Sequence, residues 1–179
     1  MPRKPRVELE DGIHHVWARG NNREPLFIDD DDRRLYLVLL GRVVIKRAWR
    51  FLSYCLMDNH IHMLLETPEP NLGRGLQALH GLYGQSFNER HGRVGHVFQG
   101  RFGSNPIDDD EEFWTIARYV ARNPVEAGLC RDPAEWRWSS HRATLEDSAP
   151  VWLDRGRLLE RFGTMGGDPH STYRAMVDG

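Results

Sequence analysis

The chain predicts an α+β fold, an antiparallel sheet of the ferredoxin-like or RRM-like kind with helices on one face and a small helical tail at its C-terminal end. Three observations lead there. Segments with the two-residue alternation of strands and segments with helical spacing follow one another in the order β, α, β, β, α, β, α. Two of the strands are separated only by Asp58-Asn59, a pair that favours a tight turn, so they read as an antiparallel hairpin. The helical segments between the strands carry apolar residues on one face, which can cover a sheet.

In chain order, Ile13, His15, Trp17 and Arg19 alternate as the first strand, and Gly20-Asn21-Asn22 turns the chain. Asp30 to Ala48 is a helix, with Leu35, Leu39, Val43 and Ala48 at near-helical spacing. Arg50 to Met57 and His60 to Glu66 are the hairpin strands. A second long helix runs from about Leu72 to Arg90 with Leu72, Leu76, Leu79, Tyr83 and Phe87 on one face. Gly73, Gly75, Gly81 and Gly84 each lower its propensity by up to about 1 kcal/mol, which close packing or flexibility would explain. Val94 to Ile107 is a loop and strand, and Asp110 to Arg122 a helix stopped before Pro124. Trp136 to Leu145 and Leu153 to Phe162 are short helical pieces. Residues 1–130 are expected to form the main domain, with 131–179 a peripheral helical tail packed on it.

Net charge is −2, so no bulk basic footprint advertises a nucleic-acid partner. The charge is uneven, however. Arg3, Lys4 and Arg6 open the chain, and Arg90, His91, Arg93, His96 and Arg101 crowd one segment, so local basic surfaces are expected. The acidic runs Asp29 to Asp32 and Asp108 to Glu112 suit helix N-termini, where carboxylates meet orphan N–H groups and the positive end of the dipole. No run of 18 apolar residues occurs and no apolar stretch follows the basic start, so neither a signal peptide nor a membrane span is expected and the cytoplasm is the expected compartment. Cys55 and Cys130 have no CxxC spacing and fit reduced, inert thiols.

A fold of this kind hosts many functions, so function has to come from a site. His60 and His62 stand two apart on a strand, so both imidazoles project from one face while Ile61 and Met63 face the other way. Two adjacent imidazoles suit a divalent metal, although a half-buried pair with no special role has the same spacing. Tyr119 and Asn123 stand four apart on a helix and offer a phenol and an amide to one point. A tyrosine packed in the core and an asparagine closing the helix before Pro124 would look alike in sequence.

Together these pieces become specific. In the stretches HHVWARGNNREPLF, YCLMDNHIHMLLE, FNERHGRVGHVFQGRF, ARYVARNPVEAGL, WRWSSHRATL and WLDRGRLLERFG, in that order and spacing, the chain resembles the HUH single-tyrosine transposases of the IS200-like kind, and among them the REP-associated tyrosine transposases. The resemblance covers most of the chain. It implies His60 and His62 as metal ligands and catalytic residues, Asn123 as third protein ligand and Tyr119 as nucleophile; Tyr83 is a second helical tyrosine, and the Asn-Pro that follows Tyr119 favours Tyr119. It implies Mg²⁺ or Mn²⁺ as cofactor, with Mn²⁺ the better match to imidazole. It implies single-stranded DNA, in REP-like hairpin repeats, as the partner that is cut and rejoined, and leaves monomer and homodimer both open.

A free phenol ionises near pH 10, so the nucleophile of such a site needs help from its surroundings. Candidate DNA contacts are Arg19, Asn21, Asn22 and Arg23 in the first turn and Arg93, His96, Gln99 and Arg101 later. His14 and His15 are adjacent, so only one can face the site, and a structural role is expected for either. Two other readings compete. A histidine-triad nucleotide hydrolase would want a third alternating histidine where Leu64 stands, and a non-catalytic, hairpin-binding regulatory descendant would not need the site complete.

Overall fold

The computed structural model describes residues 10–179, so Arg3, Lys4 and Arg6 lie outside the described residues. Its sheet holds β1 (Gly12–Arg19), β2 (Arg50–Leu56), β3 (His60–Thr67) and β4 (Gly103–Ile107) in the order β2-β3-β1-β4. Every neighbouring pair is antiparallel, with Trp17 opposite His62 and Gly103 opposite Trp17. The helices are α1 (Asp30–Arg47), α2 (Leu72–His91), α3 (Asp110–Glu126), α4 (His141–Leu145), α5 (Arg155–Gly163) and α6 (Pro169–Asp178). No helix among the described residues is long and apolar enough to cross a membrane.

Alternation divides the sheet into two faces. Val16 and Ala18 of β1, Ile61, Met63 and Leu65 of β3 and Leu56 of β2 turn to one side and pack with Leu40 of α1 and Leu76, Leu79, Tyr83 and Phe87 of α2. This is the helix-covered face the sequence predicts. Each of the larger aliphatic side chains fully withdrawn from water contributes about 1.5–3 kcal/mol. Phe51 and Tyr54 share this core although they are three residues apart, which the register shift between Phe51 and Ser53 permits; Leu52 goes to the other face.

The second face is covered as well. Ile13, Leu52, Leu64 and Ile107 pack with Phe113 and Ala117 of α3, Leu158 and Phe162 of α5, and Tyr173 and Val177 of α6. The sequence reading has helices on one face only, because the apolar residues of the tail are too sparse to advertise a lid. Buried Glu66 ties this lid to β3 by accepting from Arg157 at 3.1 Å, while Arg50 reaches it at 3.2 Å. Two arginines of α3 grip the end of α6: Arg118 Nε donates to the Met176 carbonyl at 2.9 Å and Arg122 Nη1 to that of Val177 at 2.7 Å.

Both acidic runs do begin helices. Asp29 accepts from the N–H groups of Asp31 and Asp32 at the start of α1, and Asp109 accepts from that of Glu112 at the start of α3. Asp32 is buried and also takes His91 at 2.9 Å and Arg90 at 2.6 Å, so part of the expected basic segment is neutralised inside the fold. Gly75 is a matter of packing: a Cβ there would stand 2.2 Å from Cζ2 of Trp49. α3 runs on past Pro124 to Glu126 rather than stopping before it. Proline removes one hydrogen bond, but the following turn closes on its own, with Ala127 N–H donating to Asn123 O at 3.0 Å and Leu129 N–H to Pro124 O at 2.9 Å.

Candidate active site

The end of the second face that α5 and α6 leave uncovered is polar. His60 and His62 project from β3 as their spacing demands, with ring centroids 5.2 Å apart. α3 crosses above them, because Phe113 and Ala117 anchor it on the sheet while Tyr119 and Asn123, further along, reach the histidines. The Tyr119 hydroxyl lies 3.4 Å from Nε2 of His62, and Oδ1 of Asn123 lies 3.0 Å from Nε2 of His60. All four predicted site residues are thus brought together. Tyr83 is not among them; it is fully buried on the opposite face and donates its hydroxyl to the Leu26 carbonyl at 2.5 Å.

The neighbours of His60 favour one tautomer. Asn59 Nδ2 donates to the Arg23 carbonyl at 3.1 Å, which turns its Oδ1 toward Nδ1 of His60 at 2.8 Å. An amide oxygen accepts, so Nδ1 carries the proton and Nε2 presents a lone pair. That lone pair faces the Asn123 amide oxygen, itself an acceptor. In that tautomer the imidazole nitrogen and the amide oxygen, 3.0 Å apart, suit a shared cation, since two ligands held at right angles about 2.1 Å from a metal stand about 3 Å apart. Among the described residues no three His, Cys, Asp or Glu side chains converge as a metal cage, so the donor set is two imidazoles and an amide. That set fits a divalent metal that keeps open positions for oxygen ligands.

Burial keeps these imidazoles neutral, the form that ligates. It lowers the pKa of His60 below the usual histidine value and that of His62 to about 3, and for His62 the neighbouring His15, His60 and Arg19 add to the effect. His15, for which the sequence suggests only a structural role, belongs here. Its Nε2 lies 3.1 Å from Nδ1 of His62, with the rings stacked at 5.3 Å, and burial lowers its own pKa to about 4. The third imidazole therefore comes from β1, while Leu64 is buried in the second core. His14, its neighbour, turns away and lies 3.2 Å from the Thr67 hydroxyl.

In front of the histidines a cavity of about 260 Å³ is lined by Trp17, Arg19, His60, His62, Gln99 and Arg101, together with Gly103. Gly103 is required there, because a Cβ would stand 2.1 Å from the Trp17 ring. Arg19, Gln99 and Arg101 of the predicted DNA contacts thus reach the cavity, and the Gln99 N–H bonds the Arg19 carbonyl at 2.8 Å. Asn21, Asn22 and Arg23 form a short 3₁₀ turn outside it, where Asn22 and Arg23 have left-handed φ of 52° and 62°. Arg93 pairs with Glu24, and exposed His96 lies in the loop before Val97; neither lines the cavity.

Fold and site together describe an α+β protein with a polar cleft between its sheet and one crossing helix, lined by two histidines with a third behind them. The sequence profile of the family described as Transposase IS200 like matches residues 10–123, and the chain belongs to that family. Among solved structures, a REP-associated tyrosine transposase bound to a REP hairpin superposes with a TM-score of 0.71 at 15% identity, over 85% of this chain and 90% of that one. That likeness shows the shared fold. A candidate transposase from Deinococcus radiodurans R1 aligns with a TM-score of 0.44 at 14% identity, over 71% of this chain and 97% of that one. A comparison with curated proteins gave no match.

Proposed function

We propose that this transposase-family chain cleaves and rejoins single-stranded DNA at REP-like hairpin repeats, with Tyr119 as nucleophile and Mg²⁺ or Mn²⁺ held by His60, His62 and Asn123. The observation that carries the reading is the approach of the Tyr119 hydroxyl to within 3.4 Å of His62 Nε2, beside the His60 and Asn123 acceptors. A hydroxyl on one wall and cation ligands on the next is the layout that transfer of a phosphoryl group requires.

When bound, a divalent metal polarises the scissile phosphate and stabilises charge developing on its non-bridging oxygens. The Tyr119 oxygen forms a bond to phosphorus as the bond from phosphorus to the 3′-oxygen breaks. The phenolic proton passes to water in the cleft, and the departing 3′-oxygen takes one up. The products are a 5′-phosphotyrosine and a free 3′-hydroxyl. Because the new ester replaces the old one, a 3′-hydroxyl can later attack the same phosphorus, release Tyr119 and rejoin strands without ATP. Arg19 and Arg101 line the cavity, and in this reading they hold the flanking phosphates.

The test is a denaturing gel of the protein incubated with labelled hairpin oligonucleotides of REP-like sequence, in Mn²⁺ or in EDTA, for the wild type and Tyr119→Phe. The expected result is a covalent adduct that needs metal and disappears in Tyr119→Phe. Binding without adduct across the repeats would instead favour the regulatory, non-cutting reading.

A further inference from the structure

We infer that the face of α2 turned toward the 95–102 loop is a second nucleic-acid site, one that holds an unpaired DNA segment leading away from the cleavage cavity. The inference rests on the proposed function for what the strand is, and on separate observations for where it lies. Between α2 and this loop runs an open groove of about 980 Å³, whose walls include Arg74, Gln77, Gly81, Asn88, Val97 and Arg101. This is at the upper end of the roughly 300–1,000 Å³ of ligand sites. Arg101 also lines the His60 and His62 cavity, so the two spaces share a wall and one strand can occupy both.

The chemistry of the walls selects the occupant. Among the described residues no carboxylate lines the groove, and neither Arg74 nor Arg101 has an acidic partner at ion-pair distance. In a chain of net charge −2, a groove whose described walls carry two guanidinium groups and no carboxylate favours a polyanion. Exposed Gln77 presents an amide that can pair with a base edge. Asn88 Nδ2 donates to the Gly95 carbonyl at 2.9 Å and holds the loop in place as the opposite wall. Between them stands a ring stack, His80 on Phe98 with centroids 4.0 Å apart, that gives the groove an apolar side for bases.

The glycines point the same way. Gly75 makes room for Trp49, but a Cβ at Gly81 would meet nothing within 4 Å. An exposed, mid-helix glycine that no packing requires gives up about 1 kcal/mol of helix propensity relative to alanine. What it leaves is bare backbone beside Gln77 and Gly84, a shelf against which a planar base can lie. A paired duplex presents its phosphates rather than its base faces to such a shelf, so the groove selects for an unpaired strand.

The experiment measures fluorescence anisotropy of a labelled 12-nucleotide mixed-sequence single strand, without metal, using the full chain carrying Tyr119→Phe so that no cleavage intervenes. Gly81→Glu adds bulk and negative charge within the groove while improving helix propensity, and Ala78→Glu, which adds the same charge at an exposed position of α2 outside the groove, is the control. Gly81→Glu is expected to weaken single-strand binding at least tenfold with no loss of thermal stability. Ala78→Glu should bind within about twofold of the parent, and affinity for a duplex of the same sequence should be unmoved by either change. Unchanged single-strand binding in Gly81→Glu, or an equal loss for duplex, overturns the inference. Because this readout needs neither metal nor adduct, it stands or falls separately from the chemistry at Tyr119.

Discussion

Nε2 of His15 on β1 meets Nδ1 of His62 on β3 at 3.1 Å, so the ring that faces Tyr119 is held from behind by a second imidazole. A partner on the far nitrogen fixes a ring's tautomer and orientation, and removing such a partner from a metal-ligating histidine costs about 10–100-fold in metal affinity or activity. His15→Ala is therefore expected to slow adduct formation by that order at limiting Mn²⁺, with part of the loss recovered at high Mn²⁺. An adduct rate unaffected at every metal concentration would reduce His15 to a packing residue.

Much of this site is legible in the sequence because its spacing is local. Residues two apart on a strand and four apart on a helix share a face whatever surrounds them, which places His60 with His62 and Tyr119 with Asn123. His15 is hidden by its neighbour, since which of two adjacent histidines faces the cleft depends on β1 pairing Trp17 with His62, and that register is set across the sheet. Within the expected helical tail, the last helix is hidden for another reason. α6 contributes only Tyr173 and Val177 to the buried core, too short a signal to distinguish a docked helix from a loop.

Two glycines of α2 should respond to the same substitution with opposite signs. Gly81→Ala adds a methyl group to open space and regains helix propensity, so it should stabilise by about 1 kcal/mol, or about 2–4 °C in Tm. Gly75→Ala drives a Cβ into Trp49, whose ring cannot swing away because its Nε1 donates to Asn71 Oδ1 at 2.5 Å. Overpacking there should outweigh the propensity gain and leave the protein about 1–2 kcal/mol less stable. Thermal melts of both variants decide it; equal shifts would mean that Trp49 repacks freely.

His80 supplies a pH dependence outside the candidate metal site. Burial lowers its pKa from 6.5 to about 4, and its Nε2 lies 3.2 Å from the Tyr36 hydroxyl. Below pH 6.5 the unfolded chain binds a proton at this residue that the folded chain refuses. The stability it contributes is thus complete above pH 6.5 and is lost as pH falls toward 4, at about 1.4 kcal/mol per pH unit. His80→Gln, which keeps a hydrogen-bonding group near Tyr36, should flatten the stability profile by one proton in that window. Urea unfolding at several pH values measures this, and parallel profiles for the two proteins would show that His80 titrates normally.

The grip of α3 on α6 should matter to the chemistry as well as to the fold. Arg118 and Arg122 flank Tyr119 in sequence and bind carbonyls at the last turn of α6, where orphan acceptors and the negative end of the helix dipole favour a cation. Losing one such contact should cost about 1 kcal/mol, because both guanidinium groups keep some access to water. The larger effect is on position. α3 reaches the cleft with Phe113 and Ala117 on the sheet core and Val120 against Cys55 and Met57, and these two arginines hold the same stretch from outside. The double change Arg118→Ala and Arg122→Ala should therefore lower the adduct rate by more than its stability loss accounts for, while the far-ultraviolet circular dichroism stays native. Limited proteolysis should cut first near residues 163–168, where α6 detaches. A variant that sheds α6 to protease yet forms adduct at the wild-type rate would show that the sheet core alone positions Tyr119.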